Sequence, residues 1–238
     1  MRYSILTNKG GRKQNEDYTG VAELPERTVF LLADGLGGHG FGDYASRFVV
    51  EGIKKKLTGD PGIRIEQCIM ESQDELLQEQ KRLKAESAMK ATITVLELRE
   101  GSAQFFHVGD SRGYYFHKYK YKFRTMDHSV PQMLYMSGRI RESQIRHHED
   151  RSKLIKVMGM EWNAPKYEVS SRIPVVEGDA FLLCSDGFWE LIEEKKMSKY
   201  LKKTETPEEW LSLMEQEILA NGRGTNMDNY SAIAVRIG

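Results

Sequence analysis

The sequence predicts an α+β fold in which two antiparallel sheets are flanked by helices. Three observations lead there. Short apolar runs rich in β-branched residues recur along the chain, hairpin-like pairs of such runs are present, and a long amphipathic helical stretch occupies the region from Tyr44 to Leu83. The strand–helix–strand alternation of a doubly wound parallel sheet is not evident. The chain has 238 residues and no Pro-rich or Gly/Ser-rich linker, so residues 1–238 are expected to form a single domain.

Tyr3 to Thr7 reads as a short strand, and a polar, Gly-rich loop follows from Asn8 to Asp17. Thr28 to Ala33 is a near-continuous apolar run of the kind found in strands buried on both faces, stopping at Asp34-Gly35. Ala45, Phe48, Val49 and Ile53 recur at helical spacing, and Ile65, Ile69, Leu76, Leu77 and Leu83 continue the pattern, which predicts two amphipathic helices. The period then changes. Ala91 to Leu98 and Ala103 to Val108 read as strands on either side of a Glu100-Gly101-Ser102 turn. Tyr114 to Phe116 and Lys120 to Arg124 form a hairpin with an aromatic face and a solvated lysine face, a better account of this basic, aromatic run than stacking on nucleic acid. Residues 128–158 are polar and helix-prone. Ala180 to Ser185 is another buried strand. Pro207 to Leu219 is a helix with Thr206 as cap and Glu209 completing a capping box, and Ser231 to Ile237 is the last strand.

Composition narrows the function classes. The chain carries 35 basic and 35 acidic residues, which gives no support to a polyanion partner. A mean hydropathy of -0.56 and the lack of a long apolar run argue against a membrane span, and the first residues lack the apolar core of a signal peptide. The two cysteines, Cys68 and Cys184, have no ligand-like spacing, so a cytoplasmic location with reduced thiols is expected.

Three apolar strands end in aspartate, at Asp34, Asp110 and Asp186; Asp228 precedes the final strand, and Glu16-Asp17 lies in the first loop. Any one of these can be a turn former or helix cap. Several at strand ends are costly to bury unless they coordinate cations, and all-oxygen ligands favour Mg²⁺ or Mn²⁺.

The ordered motifs Gly11-Arg12-Lys13-Gln14-Asn15-Glu16-Asp17, Ala33-Asp34-Gly35-Leu36-Gly37-Gly38-His39, Val108-Gly109-Asp110-Ser111-Arg112, Asp127-His128-Ser129, Leu182-Leu183-Cys184-Ser185-Asp186-Gly187 and Asp228-Asn229 resemble the bacterial form of the type 2C metal-dependent protein serine/threonine phosphatases. The resemblance implies a four-layer α-β-β-α sandwich with metals in a cleft at one edge. It implies hydrolysis of phosphoserine and phosphothreonine in proteins by attack of a hydroxide bridging two metal ions. Asp34 would bridge the pair, Gly35 would lend its carbonyl, Asp186 and Asp228 would be direct ligands, and Glu16 and Asp17 would act through water. Arg12 would hold the substrate phosphate. Asp110, with Asp186, would hold a third and weaker ion nearer solvent.

The general acid stays open between His39 and a water, because Leu36 stands where many relatives carry histidine. Residues at about 128–158 correspond to the flap beside the site. Partners implied are phosphoprotein substrates, among them a serine/threonine kinase or its targets, with a monomeric enzyme. Lys90-Ala91-Thr92-Ile93-Thr94 replaces a Gly-Thr-Thr-like strand start, which puts local packing in question there. Retention of Arg12 and the aspartates argues against an inactive scaffold and against a partner-switching regulator, and the neutral charge against a nuclease.

Overall fold

A computed structural model describes residues 1–36 and 40–238. His39, with Gly37 and Gly38, therefore lies outside the described residues. One sheet contains β1 (Arg2–Asn8), β7 (Arg112–His117), β8 (Lys120–Arg124), β11 (Asp179–Cys184) and β12 (Tyr230–Arg236), in the order β1-β12-β11-β7-β8. The other contains β2 (Asp17–Leu24), β3 (Arg27–Leu36), β5 (Ile93–Arg99), β6 (Ser102–Val108) and β10 (Ile173–Pro174), in the order β10-β6-β5-β3-β2; β4 (Lys90–Ala91) joins β3 and β9 (Glu168–Val169) joins β6. Every pairing within the sheets is antiparallel.

Three apolar layers hold the sandwich together. Phe30, Leu32, Leu96 and Phe105 of one sheet meet Phe181, Leu183, Ile233 and Val235 of the other. On the outer face of the β3 sheet, α1 (Gly42–Gly59) and α2 (Ile65–Leu83) bury Val49, Ile53, Ile69 and Leu76 against Leu31 and Val95. On the outer face of the β11 sheet, α5 (Glu194–Lys203) and α6 (Pro207–Asn221) bury Met197, Trp210 and Met214 against Phe116 and Leu182. Alternate residues of β3 and β11 thus face two different apolar layers, which is why these strands read as continuous apolar runs. The predicted α-β-β-α layering is observed.

Local signals account for the helix ends. Thr206 Oγ1 accepts the Glu209 N–H and Glu209 reaches back to the cap backbone, the predicted capping box of α6. Ser129 caps the short α3 (Val130–Met136), whose second residue is Pro131.

Four local expectations are corrected. β3 does not stop at Asp34-Gly35 but continues to Leu36, because Gly35 and Leu36 pair with Ala91 and Lys90 of β4. The strand expected from Ala91 to Leu98 is interrupted at Thr92, which instead exchanges hydrogen bonds with the Asp34 backbone. Asp17 opens β2 rather than lying in a loop. Residues 128–158, expected to be helix-prone, form only α3 and a 3₁₀ turn at Glu142–Gln144, held by scattered turns and ion pairs. The α5 helix and the one-turn α4 (Asp186–Trp189) were not anticipated.

Candidate active site

The strand ends that carry the acidic residues gather at one end of the sandwich. Asp17 and Asp34 are direct cross-strand partners on β2 and β3. Asp110 sits in the turn between β6 and β7, Asp186 begins α4 straight after β11, and Asp228 immediately precedes Asn229 and β12. Both sheets therefore contribute.

Neutral polar groups fasten the cluster. Ser185 Oγ donates to Asp17 Oδ2 at 2.7 Å and accepts the Ser231 N–H at 2.9 Å, tying the two sheets together. Asn229 Oδ1 accepts the Glu16 N–H at 2.8 Å, while its Nδ2 donates to the Lys9 and Gln14 carbonyls at 2.9 Å, which fixes the Arg12-bearing loop. Thr92 Oγ1 accepts the Asp34 N–H at 2.9 Å and shares a 2.8 Å hydrogen bond with Ser111 Oγ. The strand start that departs from the family pattern thus still anchors Asp34, with Ser111 bonded to its threonine. Two glycines permit close approaches. A Cβ on Gly35 would strike the Gly42 backbone, and one on Gly187 would strike the Asn229 carbonyl, so side chains there would push Glu16 and Asp228 away from the cluster.

The electrostatics are those of crowded carboxylates. Burial, then Asp186, Asp17, Asp110 and Asp228, hold the Asp34 carboxyl well above its ordinary range. Burial and then Glu190, Asp228 and Asp17 push Asp186 up to about 7. Asp17 rises to about 7 through burial, against the opposing Ser185 and Ser231 hydroxyls. Burial and then Asp186 raise Asp110 well above the usual carboxylate range. Asp17 Oδ1 is buried without a hydrogen-bond partner, an expensive arrangement for a carboxylate oxygen. An orphaned oxygen and mutually repelling acids fit a hard divalent cation, since a cation relieves both costs.

Arg12 stands at the rim, with Nη2 donating to Asp228 Oδ2 at 2.8 Å. Asp110 is 4% exposed, whereas Asp228 is open to solvent, because the β6–β7 turn is tucked under Trp189 and residues 127–129. Sequence reasoning missed Ser185, Asn229, Trp189 and Glu190. Glu190 follows Asp186 by one helical turn, which was a signal for proximity, and it pairs with Arg151 at 2.9 Å.

A second cluster, His107, His128 and Glu168, brings its potential ligand atoms within 4.8 Å of one another. The His128 tautomer does not suit a cation. His128 Nδ1 accepts the Gly109 N–H at 3.1 Å, so Nε2 carries the proton and faces Glu168 Oε1 at 2.9 Å.

Two sheets flanked by helices, with an acidic cluster at one end and an arginine at its rim, define an α-β-β-α sandwich with a candidate metal site. The family model for protein phosphatase 2C matches residues 10–221, and the chain belongs to that family. It is 30% identical over 217 residues to the serine/threonine phosphatase stp of Listeria monocytogenes, covering 87% of this chain and 85% of that one. The crystal structure of serine/threonine phosphatase Stp1 from Staphylococcus aureus matches with a TM-score of 0.88 at 26% identity, covering 99% and 94% of the two chains. The catalytic domain of the phosphatase PstP, solved with two manganese ions, shares the fold with a TM-score of 0.81 at 24% identity, covering 100% and 98%.

Proposed function

We propose that this chain, a metal-dependent protein serine/threonine phosphatase, holds two divalent cations, Mn²⁺ or Mg²⁺, through Asp34, Asp186 and Asp228 and the Gly35 carbonyl. Glu16 and Asp17 support them through water, and Asp110 with Asp186 serves a third, weaker ion. The observation that carries this reading is the gathering of Asp17, Asp110, Asp186 and Asp228, from both sheets, about Asp34, with one buried oxygen of Asp17 left unpartnered. When bound, such ions supply Lewis acidity, polarising the phosphoryl oxygens and making water a nucleophile at neutral pH.

The protein's own groups do the rest. Arg12, with a planar guanidinium suited to two phosphate oxygens, binds and orients the phosphoryl group at the rim. To do so it must leave or share its bond to Asp228. Ser185, Asn229 and Thr92 hold the carboxylate-bearing backbone in register. The departing serine or threonine oxygen takes a proton from His39 or from water. Residues 128–158 serve as the flap beside the cleft.

The substrates are phosphoproteins, including a serine/threonine kinase or its targets, and the enzyme works as a cytoplasmic monomer. Among the described residues, no helix is long and apolar enough to cross a membrane.

The test is phosphate release from a phosphothreonine peptide with Mn²⁺, with EDTA, and by Asp34→Asn. Release that requires Mn²⁺ and vanishes in the variant supports the assignment. Full activity in EDTA, or in Asp34→Asn, overturns it.

A further inference from the structure

Trp189 connects the two turns that carry Asp110 and Asp186. It lies one helical turn after Asp186, at the end of α4, and is 2% exposed. Its indole Nε1 donates to the Asp110 carbonyl at 3.0 Å. A closed path therefore runs from the Asp186 backbone through one turn of helix and the indole to the Asp110 backbone.

The indole is itself immobilised. The Arg112 guanidinium stacks 3.3 Å from the ring centroid, and Arg112 is clamped by Asp127 through bonds of 2.8 and 2.6 Å. Arg112, two residues beyond Asp110, thus presses on the same indole that holds Asp110. From the other side, the His128 backbone N–H donates to the Gly109 carbonyl and its ring accepts the Gly109 N–H. Gly109 has φ +108, and a Cβ there would collide with Thr92, so only glycine lets the turn pass this close to Thr92. The Asp110 carboxylate is consequently presented by a turn fixed at both flanks, while its carbonyl is fixed by Trp189. The Asp110 carboxyl feels the Asp186 charge, the largest influence on it after burial.

Resting on the third-ion assignment above, we propose that Trp189 is a positioning residue: its indole N–H sets the spacing of Asp110 from Asp186 and so the affinity of the ion they share. Groups that orient metal ligands from behind commonly change affinity by about 10–100-fold when lost. Here the lost group would be one N–H, with no change in the carboxylates.

Trp189→Phe removes that N–H while keeping an aromatic face for Arg112. Trp210→Phe is the control, because Trp210 is equally buried and its indole donates to the Met197 carbonyl at 3.0 Å, away from the acidic residues. Mn²⁺ binding to the intact protein is counted by calorimetry and by the electron paramagnetic resonance signal of free Mn²⁺, for wild type, Asp110→Ala and both tryptophan variants. The expected result is three ions in wild type and in Trp210→Phe. In Trp189→Phe the two tighter ions should be unchanged and the third weakened about 10–100-fold. Its kcat should fall with KM unaltered, as in Asp110→Ala.

Three ions of unaltered affinity in Trp189→Phe, or equal weakening in both tryptophan variants, would overturn the role of Trp189 and leave the third ion standing. Two ions in wild type, with no change in Asp110→Ala, would overturn the third-ion assignment and the Trp189 role with it. Should Trp189→Phe fail to fold, the wild-type indole N–H resonance carries the test. Titration with Mg²⁺ should shift it in the third binding step and not in Asp110→Ala, and no shift overturns the proposal.

Discussion

Arg12 Nη2 lies 2.8 Å from Asp228 Oδ2, and both side chains are about half exposed. An ion pair so open to water contributes little to stability, about 0–1 kcal/mol. The pair therefore holds Arg12 at the mouth of the cleft at little energetic cost when phosphate displaces it. Arg12→Ala should raise KM for a phosphopeptide about tenfold or more, the loss of one charge-assisted contact, with a smaller change in kcat. The melting temperature should stay within a degree or two. Steady-state kinetics and a thermal melt check both, and unaltered KM and kcat would remove Arg12 from the site.

Loss of a central carboxylate should separate chemistry from folding. Asp34→Asn and Asp228→Asn are expected to abolish turnover and weaken Mn²⁺ binding while leaving the circular dichroism spectrum unchanged. Asp34 sits among repelling acids, so the asparagine relieves strain in the metal-free protein and should raise its stability. A metal-free Asp34→Asn protein that melts below metal-free wild type would contradict that electrostatic account.

The raised carboxyls make metal binding depend on pH. Asp17 and Asp186 titrate at about 7 in the fold, against 3.8 as the ordinary value. A carboxyl raised on folding binds more protons folded than unfolded, so the metal-free protein should lose stability as pH climbs from about 4 to about 7. Cations displace those protons, so Mn²⁺ binding should release more protons at pH 6 than at pH 8 and should bind more tightly at the higher pH. Calorimetry in buffers of different ionisation enthalpy counts the protons. Equal release at the two values would sink the prediction.

Arg112 and Asp127 form a buried bidentate pair whose side chains are 3% and 1% exposed. Burial alone would raise the Asp127 carboxyl, yet the Arg112 guanidinium wins and holds it below the ordinary range. Asp127→Ala leaves a buried guanidinium short of its counter-ion and should cost about 3–5 kcal/mol in urea denaturation. A loss under about 1 kcal/mol would mean that Glu194 and water compensate, and that the pair is not an independent clamp.

Capping offers a purely local contrast. Thr206→Ala should destabilise by about 1 kcal/mol, because the Glu209 N–H loses its acceptor far from the cleft. Specific activity should be unchanged.

The sequence by itself determined the layers and much of the cleft. The Phe30–Ala33 and Phe181–Cys184 runs, the helical spacing of Val49 and Ile53, and the Thr206–Glu209 box are patterns of local period and side-chain type, and each became the expected element. Aspartates at strand ends were legible for the same reason, since a charge closing an apolar run has few roles. Only the tertiary structure decided what lies across from what. Asp17 meets Ser185 across 168 residues of chain, and Trp189 meets Asp110 across 79. Such pairs leave no periodic trace, because they depend on how two sheets stack rather than on how one segment folds. The burial of Asp110 and the stacking of the His107 and His128 rings follow from that arrangement, because both are set by neighbours distant in the chain.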